Sequence, residues 1–162
     1  DQILLNPGFA SYNFDVIAGI SYEIDLAQPS KYDPKGALLN PGARRITNLT
    51  HAGRPVDPAA EFVIATNNYR ASGGGDFPGA GGDTIIFEGP DTNRDIIVRY
   101  IVEVGTIDPG RDAGWRFRPM PGTTALFDTG PRAAAYLANV TGARITPAGD
   151  GPDGFARFRI TF

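Results

Sequence analysis

The chain has no cysteine. That excludes disulfides, thiolate metal ligands and a cysteine nucleophile, and leaves the redox environment open. It has one histidine, His51. A histidine-rich metal site is therefore excluded, and so is a Ser-His-Asp triad with any other base. His51 falls in the polar turn His51-Ala52-Gly53-Arg54 and reads as a solvent-exposed loop residue. No apolar run is long enough to span a bilayer, so no membrane partner is expected. The net charge of −3 argues against a generally basic, nucleic-acid-binding surface and leaves only a local arginine cluster open. The glycine-rich stretch 73–82 lacks a Gly-Lys-Ser/Thr ending and is not a P-loop. The chain also lacks an initiator methionine and a basic-then-apolar leader. It reads as a processed product or a piece of a longer protein, so a missing signal peptide does not argue for the cytoplasm.

What is present describes a folded domain. A chain of 162 residues with 41% hydrophobic side chains and ten phenylalanines fits one domain, 1–162, with roughly 68–70% of its unfolded surface buried. Gly 21 and Pro 14 imply many turns. Strands are expected at 14–17, 21–26, 45–50, 61–66, 115–118, 124–127 and 155–162. In the last of these, Ala156, Phe158, Ile160 and Phe162 form the apolar face and Arg157 and Arg159 the solvent face. A loop from Gln28 to Gly42 carries Pro29, Pro34, Gly36 and Pro41. Thr92 and Asp95 have capping-box spacing, and Ile96, Ile97, Tyr100, Ile101 and Val104 then share one helical face, with Gly105 as the stop. A shorter helix starts at Pro131. Strands and helices follow no βαβ alternation. The expected fold class is α+β, a mixed sheet with a few packing helices in a single domain. No internal repeat is present.

The segment Glu61–Asp76, EFVIATNNYRASGGGD, carries the most functional information. A strand with β-forming side chains leads into a polar pair, then Tyr69, then Gly73, Gly74 and Gly75. Glycines let a backbone or a ligand approach closely. An aromatic at a strand end beside such a loop is a platform for a flat ligand. On residue chemistry alone the commoner outcome of such a pattern is a surface tyrosine beside a flexible loop. Asp91, Asp95, Asp108 and Asp112 lack the spacing of a calcium loop or a catalytic dyad. Arg116 and Arg118, flanking Phe117, read as a solvated strand face.

Three runs resemble the C-terminal domain of the 5'-nucleotidase family: YNFDVIAGISYEIDLAQPSKYD (12–33), RITNLTHAGRPVDPAAEFVIATNNYRASGGG (45–75) and PDTNRD (90–95). Within that family the likeness is strongest to the bacterial periplasmic cyclic-nucleotide phosphodiesterase/3'-nucleotidase branch. It covers most of the chain and is looser after Ala113. The resemblance implies a nucleoside- or base-recognition domain, non-catalytic by itself and periplasmic or secreted. The missing N-terminal metallophosphatase domain would hold two divalent metal ions, and this chain would hold no cofactor. The resemblance gives Tyr69 the role of stacking on the base, and Gly8 that of lining the base pocket. It matches Asp76 to an acidic residue after the glycines, one residue out of register. A second aromatic, opposite the base in the family, would lie upstream of Asp1. The partners implied are a nucleotide or nucleoside and the metallophosphatase domain, not a nucleic acid polymer. The alternative is a stand-alone ligand-binding or surface module of the same fold without hydrolase activity.

Overall fold

A computed structural model describes residues 2–4, 14–108 and 114–162, with only the backbone of 2–4 defined. In chain order the strands are β1 (Gln2–Leu4), β2 (Ile20–Ile24), β3 (Ile46–His51), β4 (Arg54–Pro55), β5 (Trp115–Phe117), β6 (Thr124–Thr129), β7 (Arg144–Asp150) and β8 (Ala156–Thr161). Two α-helices, α1 (Asn68–Ala71) and α2 (Asn93–Val104), and three 3₁₀ segments complete the α+β fold. The chain divides into two compact units. One comprises Asp1–Lys31, Asn40–Pro55 and Ala113–Phe162; the other comprises Tyr32–Leu39 and Val56–Asp112.

The first unit holds both sheets, and both are mixed. One has the order β1-β6-β8-β7, with β1 parallel to β6 and the other pairs antiparallel. The other has the order β4-β3-β2-β5, with β5 parallel to β2. Phe158, Leu126 and Ala125 are buried on the first sheet and Ile24 on the second. Consecutive Ala125 and Leu126 point to opposite faces, so the burial of both makes β6 a strand covered on each side. Phe117 of β5 meets Phe162 edge-on at 5.2 Å between ring centroids, and Trp115 meets Phe14 at 5.2 Å and Phe117 at 5.3 Å. This aromatic row links the two sheets. The β2–β3 ladder slips between Ser21 and Glu23, where Asn48 adopts φ 51°. Asparagine tolerates that left-handed conformation better than most residues.

The second unit is mostly irregular apart from α2. Thr92 caps this helix: its side chain accepts from Asp95 N at 3.2 Å and donates to the Asp95 carboxylate at 2.6 Å. Gly105, at φ 81°, ends it. Both termini are where the sequence puts them.

Several expectations are corrected. Residues 14–17 and 61–66 form no strand, and Val63 and Ile64 are 81% and 66% exposed. A run of β-formers becomes a strand only when a neighbour takes its N–H and C=O groups. No ladder among the described residues includes either run. The apolar face of α2 is present, yet Ile96, Ile97, Tyr100, Ile101 and Val104 all stay open to solvent. Periodicity defines such a face, and burial needs a surface to cover it. Strand β7, which contains Pro147 and Gly149, was not among the expected strands. It lies at a sheet edge with a register shift between those residues, where proline and a bulge are tolerated.

Candidate functional site

The run Asn67-Asn68-Tyr69-Arg70-Ala71-Ser72-Gly73-Gly74 folds as one capped helical turn. Asn67 is the N-cap, its side-chain oxygen accepting from Arg70 N at 2.8 Å. At the other end Gly73 N donates to Arg70 O at 3.1 Å and Gly74 N to Tyr69 O at 2.8 Å. This pair of bonds is a Schellman closure, whose penultimate position needs a positive φ. Gly73 supplies it at φ 95°. A single turn is unstable alone because nucleation fixes several dihedrals for few bonds. The N-cap, worth about 1 kcal/mol, and the glycine closure offset that cost.

The turn presents Tyr69 at 61% exposure. A Cβ added to Gly74 would lie 2.6 Å from both Cε atoms of that ring and 2.5 Å from the Tyr69 carbonyl oxygen. The position is symmetric about the ring, so the Gly74 backbone covers one face, while the residue as a whole stays largely exposed. No other residue type fits at Gly74 without moving the ring. The glycine spacing therefore has two physical reasons: a helix cap at Gly73 and a flat seat at Gly74.

The remaining expected residues sit close by. A Cβ on Gly75, at φ 84°, would run into the Arg70 guanidinium. Asp76 follows at φ 57° with its side chain exposed. Its carbonyl oxygen occupies the space where Gly36 would carry a Cβ. Gly36 belongs to a turn held by Asp33, whose carboxylate accepts from Lys35 N and Ala37 N, each at 2.8 Å. Tyr69, Gly73, Gly74, Gly75 and Asp76 thus come together, whereas Gly8 lies outside the described residues. Sequence reasoning missed Gly36 and Arg70. The Asp-Pro-Lys-Gly turn (33–36) was a visible signal for Gly36, but its contact with Asp76 is long-range.

The first unit carries charge pairs on strand faces that the sequence reading placed in solvent; Arg116 and Arg118 are exposed there, and each also reaches an acid. Glu23 on β2 pairs with Arg116 on β5, Nε to Oε1 at 2.8 Å, and also accepts from Asn48 at 2.7 Å. The Arg116 hydrogen bond, then that of Asn48, holds the Glu23 carboxyl below its usual range. Asp25 is buried and accepts from Arg118 at 2.9 Å. Half-buried Arg45 bonds the Gln28 carbonyl, and burial lowers its pKa against the opposing pull of Asp25. Asp128 on β6 holds Arg157 on β8 in a bidentate pair at 2.8 and 2.9 Å, so Arg157 is not on a bare solvent face. That bond lowers the Asp128 pKa and raises that of Arg157. Each acid has its own basic partner, and such pairs tie strands together.

Among the described residues no group of three or more His, Cys, Asp or Glu stands close enough to hold a metal ion, and none of the helices is long and apolar enough to cross a membrane. These residues do not fit a divalent metal centre.

The capped turn, its glycine seat and the open aromatic ring fall within, or directly beside, the part of the chain that is similar to a known domain. Residues 3–81 match the 5'-nucleotidase C-terminal domain. The chain is homologous to bacterial 2',3'-cyclic-nucleotide 2'-phosphodiesterase/3'-nucleotidases. It is 44% identical to that of Haemophilus influenzae over 94% of the chain, and 47% identical to that of Salmonella typhimurium over 84%. It is also 44% identical to the trifunctional nucleotide phosphoesterase protein YfkN of Bacillus subtilis over 80% of the chain. The chain spans only 24%, 22% and 9% of these relatives' lengths. No solved structure matches it significantly.

Proposed function

We propose that this chain is the nucleoside-recognition part of a metal-dependent phosphoesterase acting on 2',3'-cyclic nucleotides and 3'-nucleotides. The observation that carries the reading is the exposed Tyr69 ring, backed on one face by Gly74. A base laid on the ring gains stacking of about 1–3 kcal/mol. The backing glycine fixes the ring so that little freedom is lost on binding. Gly73, Gly75 and Asp76 shape the loop beside the ring. The homology to nucleotide phosphoesterases supports a nucleotide as the flat ligand.

In this division of labour the chain binds and orients the base. Water activation and hydrolysis belong to a metallophosphatase domain outside it, with its two divalent metal ions. Orientation of this kind raises the rate by removing the search for a reactive pose. The likeness to the periplasmic branch supports a periplasmic or secreted protein.

The test uses the full-length protein. Tyr69→Phe keeps the π-face and is expected to retain activity. Tyr69→Ala is expected to raise KM for 2',3'-cyclic AMP by about 10–100-fold, the equivalent of one lost stacking contact. Hydrolysis of a phosphate ester without a base should be equal in both. An unchanged KM in Tyr69→Ala refutes the reading.

A further inference from the structure

We propose that Arg70 is a positioning residue for the Tyr69 platform, holding ring and loop in register without itself contacting the ligand; the inference rests on the stacking reading above. Arg70 is fixed at both ends. Its backbone N–H is held by the Asn67 side chain at 2.8 Å. Its guanidinium Nη1 donates to Gly74 O at 3.0 Å, and Gly74 is the residue that backs the ring. The guanidinium carbon lies 5.3 Å from the centre of the Tyr69 ring and 4.9 Å from that of Phe77. The same group fills the space beside Gly75 that a side chain would need, with Phe77 Cε2 at 3.1 Å from that point.

One cation thus reaches Tyr69, Gly74, Gly75 and Phe77 together. The loop from Gly73 to Phe77 closes around it as around a post. The planar, delocalised guanidinium suits the place because it can bond a carbonyl in its plane while lying against aromatic rings. Lysine can supply the charge and one bond but no plane. A residue with this role sets how well the ring is pre-organised, so its loss should weaken base binding and leave the chemistry of the phosphate untouched.

The experiment is a double-mutant cycle in the full-length protein, read as KM and kcat for 2',3'-cyclic AMP and for a phosphate ester without a base. Arg70→Met is expected to raise KM for the nucleotide by about tenfold with kcat nearly unchanged, and to leave the base-free ester unaffected. Arg70→Lys is expected to give a smaller rise. In a Tyr69→Ala background Arg70→Met is expected to add nothing, because the two residues act through one contact. A tenfold effect that persists in the Tyr69→Ala background overturns the inference. So does a Tyr69→Ala variant with raised KM beside an Arg70→Met variant with normal KM, which leaves the stacking reading standing. An unchanged KM in Tyr69→Ala removes both. Should Arg70→Met lose activity on the base-free ester, Arg70→Lys carries the same cycle, and additivity there also refutes the proposal.

Discussion

A methyl group at Gly74 would sit on the face of the Tyr69 ring. Gly74→Ala must therefore turn the ring away or open the helix cap. Its expected result in the full-length protein is a raised KM for cyclic nucleotide with normal turnover of a base-free ester, measured side by side with Tyr69→Ala. A second residue-scale consequence concerns acid. Asp128 is held below its ordinary pKa first by the hydrogen bond from Arg157. A depressed carboxylate stabilises the fold fully above its unfolded value, about 3.9. That contribution is lost as pH falls through the lower folded value. Asp128→Asn is expected to lower stability at neutral pH and to flatten the loss below about pH 4. Denaturant melts at neutral and acid pH measure both changes. An equal acid loss in the variant would show that the Arg157 pair contributes nothing.

At the scale of elements, β8 is the strand on which two faces can be compared directly. Phe158 is 1% exposed and stacks on Phe127 at 5.8 Å, while Arg159 is exposed. Phe158→Ala is expected to cost about 3–5 kcal/mol, and Arg159→Gln to stay within about 0.5 kcal/mol. Reversal of that order in denaturant melts would invert the strand's faces. The alternation Ala156, Phe158, Ile160 was legible because strand geometry has period two. The caps of α2 were legible because Thr92 and Gly105 act over one turn. The partners of Arg116, Arg118 and Arg157 were not. Each pairing depends on which strand lies alongside, and the parallel β2–β5 ladder joins residues 93 positions apart in sequence. The same limit explains residues 61–66, whose composition is that of a strand but whose state depends on a neighbour. At the candidate site the residues NNYRASGGG were visible as a motif. That Gly74 seats a ring and Gly73 ends a helix required the backbone.

For the molecule as a whole, the chain by itself is expected to show no phosphodiesterase or nucleotidase activity with added manganese, cobalt or zinc. The described residues offer no cluster of metal ligands, and His51 alone cannot furnish a two-metal centre. Chelator-sensitive hydrolysis of 2',3'-cyclic AMP by the purified 162-residue chain would contradict this. The aromatic row in the first unit has an optical consequence. Trp115 is the single tryptophan, held between Phe14 and Phe117, whereas α2 lies in the second unit. Tryptophan emission thus reports one unit and helical ellipticity mainly the other. If the two units melt as one, both signals change together along a denaturant titration. If they melt separately, the emission and ellipticity midpoints differ, and each unit's stability is read from its own chromophore.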